Sequence, residues 1–294
     1  GERRIRTLRR PISIRAETSI RKARFPILFL VKLRSLFFES QTNAAQPSSG
    51  IARGFSFAIA LILLSSLLFA SFYALQYEWN WSSVFRYKAK FVQGWLTTLG
   101  ISTVSFFFSF LAGTLATLCY RSRFLPIKYL ANLYVELIRG TPLLVQIFIF
   151  FYVVADAAGI QNRYVIGICI MALFSGAYIS EILRAGIDGV GRSQLLSAKA
   201  IGFSEYQIFR YVIAPQALRS SLPALAGQTA NLIKDSSLLS IIAISEFTLN
   251  AQEVNAITYS SFESFFPLAL GYLALTLPIM GLARILEKRL RFET

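Results

Sequence analysis

The sequence contains no histidine. That removes an HExxH zinc site, a Ser-His-Asp triad and an imidazole proton relay from consideration. The two cysteines, Cys119 and Cys169, both lie inside apolar runs. No disulfide framework or CxxC metal pair can be built from them, and they read as small core hydrophobes. Charge is also scarce, at 15% of residues, where soluble domains carry about a quarter. Acids are the scarcest, with 15 Asp and Glu against 30 Lys and Arg and a net charge of +15. A basic excess of that size would suit nucleic acid if it clustered on a soluble fold. Here the basic residues flank apolar runs instead, and nucleic-acid binding is set aside. A glycine-rich stretch, Gly186 to Ser193, approaches a phosphate-binding loop but has Arg192 where that motif needs Lys. It also follows an apolar helix, not a strand. ATP hydrolysis is therefore not expected in this chain.

What the sequence has in quantity is apolar length. Residues 54–77 give 24 positions without a charge, residues 91–120 give 30, and residues 264–283 give 20. Each is long enough to cross a hydrocarbon core of about 30 Å as a helix. The expected class is an all-α integral membrane protein with about six transmembrane helices. Further crossings are expected near residues 130–154, from Tyr164 inward, and from Ser220 on.

Residues 1–53 hold 12 of the 30 Lys and Arg against three acids, Glu2, Glu17 and Glu39. They suit a disordered basic tail. Within the tail, residues 25–38 suit an interfacial helix, and the Arg-rich, Ser-containing composition also fits an organellar transit peptide. Residues 54–90 are expected to form an accessory crossing followed by an external segment, in which Trp79 and Trp81 suit the headgroup level. Residues 91–294 form the main domain. Six crossings put both ends on one side, and that side collects 24 Lys and Arg against four on the other, Arg86, Lys88, Lys90 and Arg163. By the positive-inside rule both ends are cytoplasmic.

Several polar residues fall inside the crossings, where they are costly unless paired. Arg139 is expected to pair with Glu136 on its own helix, and Thr141-Pro142 to kink that helix. Glu181 and Asp188 are seven residues apart, which places them on one helical face about 10 Å apart along the axis. Two carboxylates on a pathway would favour a cationic solute, whereas Arg184 between them could neutralise both. Asn231 and Asp235 share a face of a helix too polar to meet lipid, with Lys234 and Ser236 beside them. A pathway wall and local pairing both remain open for this group.

Residues 191–219 form a polar island between apolar helices. Gly202 suits the left-handed residue after a helix over about 193–201. Ser204 with Gln207 three residues later fits a capping box that starts a second helix, and Pro215 is expected to stop it. Phe203, Ile208, Phe209, Val212 and Ile213 give that helix an apolar stripe.

This island resembles the cytoplasmic coupling loop of permease subunits of ABC importers, whose pattern runs Glu-Ala-Ala, Gly, then Ile and Pro. The matching positions are Leu196, Ser197 and Ala198, then Gly202, then Ile213 and Pro215. Two positions depart from it: Leu196 replaces the family's glutamate and Ala214 its usual leucine before proline. Further stretches are similar to the polar amino-acid permeases of the histidine, glutamine and arginine type: ELIRGTPLLVQIF at 136–148, SGAYISEILRAGI at 175–187, APQALR at 214–219 and LIKDSSL at 232–238. The resemblance covers roughly residues 91–290. It implies a five-helix core of the type I importer kind, with coupling helices that dock on a separate ATPase. That ATPase would bind the ATP and Mg, leaving this chain without a cofactor. The other implied partners are a second permease subunit, an extracytoplasmic solute-binding protein and membrane lipid, and the implied location is the bacterial inner membrane. The function expected is solute translocation for polar amino acids, with basic ones favoured if Glu181 and Asp188 meet the solute. A stand-alone secondary transporter or channel would instead show inverted repeats and midplane ionisable groups. No repeat is evident.

Overall fold

The structure, a computed structural model, describes residues 50–74 and 77–290. The expectations for the tail up to residue 49, including its interfacial helix and leader-like character, fall outside these residues. The described chain is helical, without strands. It divides into two units, up to Glu78 and from Trp79 on. The first contains α1 (Gly50–Ala74), whose Gly54–Ser71 stretch is long and apolar enough to cross a membrane.

The second unit begins with a short helix, α2 (Trp81–Phe85), and then α3 (Lys88–Tyr120), which starts three residues before the apolar run does. Next come α4 (Leu125–Gly140) and α5 (Leu143–Ala157), the latter with a π-helical stretch at Phe150–Val154. α6 (Arg163–Asp188) runs unbroken, its start capped by Asn162 Oδ1, which accepts from the amides of Tyr164 and Val165 at 3.0 and 3.4 Å. After it stand α7 (Arg192–Ala200), α8 (Glu205–Ile208), a π-helical stretch (Phe209–Ile213) and α9 (Ala214–Asp235). A 3-10 turn (Ser236–Ile242), α10 (Phe247–Thr258) and α11 (Ser261–Leu290) complete the unit.

Among the described residues, α1, α3, α6 and α11 are single helices long and apolar enough to span, and α4 and α5 pass the same test only as a pair, bent by 111° at the break between them. α9 has 22 residues, about 33 Å at 1.5 Å each. It is too polar to face lipid, so the sixth expected crossing depends on what surrounds it.

α3 and α6 share the most extensive packing in the fold. Small residues make it possible: a Cβ on Gly113 would fall 2.8 Å from the carbonyl oxygen of Gly176 and 2.7 Å from Ile179. Backbones can approach this closely only without side chains between them, the usual device of helix pairs in lipid. Hydroxyls then bridge the pair. Thr117 Oγ1 donates to Ser180 O at 3.2 Å, and Ser109 Oγ lies 3.4 Å from Met171 O. Around this seam Ile147, Ile170, Met171, Leu232, Leu239 and Ile244 are fully enclosed and form the main core.

The break between α4 and α5 is sharper than a proline kink. Thr141 and Pro142 both take extended backbone angles, so the helix stops at Gly140 and restarts. Proline disfavours helical angles in the residue before it, and the orphan carbonyls left behind need donors. Gln146, buried, supplies them: its amide donates to Ile138 O at 2.7 Å and Thr141 O at 3.1 Å.

At the other end of the unit, Trp79, Trp81, Phe262 and Phe266 stack edge-on and face-on. The backbone amide of Asn80 donates to Glu263 Oε1 at 2.5 Å. The segment before α3 is thereby tied to the start of α11.

Candidate functional site

The coupling element is built from local rules. α7 ends in a Schellman motif, in which Gly202, at φ +86°, donates its amide to Lys199 O at 3.0 Å and Phe203 donates to Ala198 O at 3.1 Å. Two residues on, the capping box forms: Gln207 N donates to Ser204 Oγ at 3.3 Å, and Ser204 N donates to Gln207 Oε1 at 2.8 Å. The turn and the helix start are thus specified within six residues. Ala198, Ile208, Ile213 and Ala217 close a small core of their own, with Phe203, Val212, Ile187 and Val190 against it. Of the six expected coupling residues, Ala198 and Ile213 hold this core, whereas Leu196, Ser197, Gly202 and Pro215 are exposed. Leu196 is 60% and Ile201 72% exposed, and Tyr206 and Tyr211 are also outward. Apolar side chains this open on a polar segment make a surface awaiting a partner.

Pro215 does not stop the helix. The chain continues helically from Glu205 to Asp235, with the π-helical stretch just before the proline. There Ala214 N reaches back to Phe209 O. The wider turn shifts the hydrogen-bond register just before Pro215, so the missing N–H is accommodated within a continuous helix.

Glu181 and Asp188 lie on one unbroken helix, as expected, but neither is a free carboxylate. Glu181 Oε2 accepts from Arg139 at 2.7 Å and from Arg184 at 2.8 Å. Asp188 pairs with Arg121 at 3.4 Å. The expected Arg139–Glu136 pair does not form. Arg139 reaches across to Glu181 on α6, and Glu136 instead accepts from Asn132 at 2.5 Å. Aromatic faces hold the two guanidinium groups further: Arg184 lies 4.8 Å from the Tyr120 ring and Arg139 5.5 Å from Tyr178. Glu181 also borders a groove of about 550 Å³ between α6 and α9, lined in addition by Ile182, Gly186, Gln216, Ser220 and Ser221. The helices meet closely there, since a Cβ on Gly186 would collide with Ser221 Oγ.

On α9, Ala224, Asn231 and Lys234 are exposed and Asp235 is half-buried. Lys234 is within electrostatic reach of Asp235 but not in a close ion pair with it. Ser236 departs from this face: it is fully buried, its hydroxyl donating to Ile233 O at 2.8 Å. It caps a turn inside the fold and lines no surface.

One polar centre was not singled out from the sequence. Glu246 is fully buried at the start of α10, and its carboxylate accepts from the amides of Thr248 and Leu249, both at 2.8 Å, and from Tyr272 Oη at 3.1 Å. Thr98 of α3 joins it by accepting from Phe247 N at 3.1 Å. The cluster ties α3, α10 and α11 together. An acid directly before an apolar helical run is a helix-start signal that could have marked it.

Comparison with known families places this geometry. Residues 105–292 match the family described as the binding-protein-dependent transport system inner membrane component. The chain belongs to that family. The match takes in α4 to α9, the coupling element and the groove, so this part is a permease domain of the ABC importers, a transport subunit. Curated relatives agree. A protein of Rickettsia felis named as a putative glutamine transport system permease is 32% identical over 215 residues, covering 70% of this chain and 99% of its own length. An arginine transport system permease of Bacillus subtilis is 29% identical over 201 residues, covering 68% of this chain and 92% of its own length. Among solved structures, an amino acid ABC transporter determined with histidines superposes with a TM-score of 0.68 at 33% identity, covering 72% of this chain and all of its own. An inward-facing methionine ABC transporter, at 17% identity and a TM-score of 0.58, shares the fold.

Proposed function

We propose that this permease carries a polar amino acid across a bacterial cytoplasmic membrane, driven by ATP hydrolysis in a separate ATPase subunit that docks on α7 and α8. The observation that carries the reading is the coupling element itself. It is a rigid two-helix unit, closed by the Schellman turn and the capping box, with its own core and with Leu196 and Ile201 left open. It also continues without a break into α9. A push on α7 and α8 is therefore delivered to α9 and to the groove against α6. Such a rigid link lets ATP binding and solute bias one two-state equilibrium.

Both chain ends are cytoplasmic in this reading, as the Lys and Arg distribution supports. The exposed Asn231 and Lys234 face of α9 meets a second permease subunit or the pathway between the two, since lipid would not tolerate it. An extracytoplasmic binding protein delivers the solute. The relatives named as glutamine and arginine permeases support a polar amino acid. This chain contributes no cofactor; ATP and Mg belong to the ATPase. The test is isolation of the tagged chain from its native membrane. An ATPase subunit should travel with wild type and be lost when α7 is replaced by a Gly-Ser linker of equal length. Recovery of the chain with no ATPase in either case would contradict the reading.

A further inference from the structure

An apolar groove of about 420 Å³ runs between α3, α4 and α6, with Ala112, Ala116 and Cys119 of α3, Ile127 and Leu130 of α4, and Leu173 of α6 among its walls. The hydroxyl of Tyr134, which also lines it, is already engaged, donating to Leu173 O at 2.6 Å. At Ala112, Leu115 and Leu173 the groove opens into a second one of about 590 Å³ between α3 and α6, which reaches Val104. The stretch from Val104 to Cys119 rises about 22 Å as a helix, more than half of a hydrocarbon core of about 30 Å. The two grooves together can seat a whole acyl chain of one leaflet.

A cation stands beyond the mouth, where a headgroup would lie. Lys128 follows Ile127 of the groove wall, its Nζ lies 5.4 Å from the centre of the Tyr120 ring, and it forms no ion pair among the described residues. Arg121 and Arg123 follow Tyr120 in the chain. They meet Asp188 at 3.4 Å and Glu205 at 3.3 Å in exposed pairs, which are weak. No acid lies in the first turn of α4. An anion at this mouth therefore meets positive charge, and a chain attached to it meets apolar walls.

We infer that this groove holds a phospholipid with an anionic headgroup, its phosphate beside Lys128 and one acyl chain lying along α3 from Cys119 towards Ala112. A zwitterionic lipid would meet the same walls but gain little from the cations. One basic residue near the headgroup favours an anionic lipid by about fivefold. In the orientation proposed above, the lipid belongs to the cytoplasmic leaflet. The site is separate from the groove between α6 and α9 and does not depend on which solute is carried.

The test uses the full chain with its ATPase in nanodiscs of phosphatidylcholine. Leu130→Trp, at an exposed position on the groove wall, supplies a fluorescent reporter. The native Trp79, Trp81 and Trp95 lie at or before the other end of α3, and the chain without the reporter gives their background. A small fraction of lipid brominated in its acyl chains is added, either phosphatidylglycerol or phosphatidylcholine, and quenching of the reporter is measured. At equal bulk fraction, phosphatidylglycerol should quench about fivefold more effectively, with the preference shrinking at high salt. Adding Lys128→Gln should remove most of the preference, and Lys128→Arg should keep it. Equal quenching by the two lipids would mean ordinary boundary lipid, and no quenching by either would mean that protein covers the groove. A preference unchanged by Lys128→Gln would mean that this cation does not read the headgroup. Each of these three results overturns the inference.

Discussion

The side-chain amide of Gln146, at the start of α5, donates to the main-chain carbonyl of Ile138 near the end of α4, at 2.7 Å. This bond, with those to Thr141, closes the 111° bend between α4 and α5. Gln146→Leu keeps much of the volume but leaves the carbonyls of Ile138 and Thr141 without their donor. The expected cost is about 1–3 kcal/mol, seen as a lower Tm in detergent. An unchanged Tm would mean that another group closes the break.

Glu246 should matter for stability and not for docking. Glu246→Ala removes the acceptor for two amides and for Tyr272, with an expected loss of about 2 kcal/mol or more. Glu246→Gln should fall between the two, because only one of its terminal atoms is an acceptor. Thermal unfolding of the three proteins checks the order, and recovery of the ATPase with Glu246→Gln should match wild type.

Leu196 is 60% exposed on α7, its side chain open to a partner. Leu196→Ala should weaken ATPase docking by about 1–2 kcal/mol through lost apolar contact. That loss should stay nearly constant between low and high salt. A loss that grows or vanishes with ionic strength would assign the contact to charge.

Asn231 is exposed on α9 with no described side-chain partner. A cysteine there should react with a small aqueous thiol reagent at a rate that changes when ATP is added, as expected if the face lines an alternating pathway. Full protection in every state would place it in a closed protein interface.

Much of this was legible in the sequence because it is local. Helix ends obey short-range rules, so Gly202 and the Ser204–Gln207 box could be placed before any coordinates, and charge-free runs located the apolar helices. The partners of Arg139 and Glu181 were not legible. Pairing along one helix depends on spacing, but the pair between α4 and α6 depends on how those two helices pack, which no local rule fixes. Pro215 was misread for a related reason: proline forbids one hydrogen bond, and a π turn accommodates that as well as a helix end does. Ser236 falls three and four residues after the buried Ile233 and Leu232 and so takes the inner face of the helix, not the polar one.

A rigid coupling element that transmits ATP hydrolysis to the groove between α6 and α9 depends on Gly202, where α7 turns towards α8. A Cβ at that residue meets no atom within 4 Å. Valine must, however, either hold φ near +86°, at about 1–3 kcal/mol, or let α8 swing away from α7. The measurement is ATP-driven amino-acid accumulation in proteoliposomes containing this permease with its ATPase and binding protein. Gly202→Val should insert normally and lose most ATP-dependent accumulation, and Gly202→Asn, which tolerates the left-handed region, should retain much of it. Wild-type rates from Gly202→Val, or equal loss from both variants, would contradict the account.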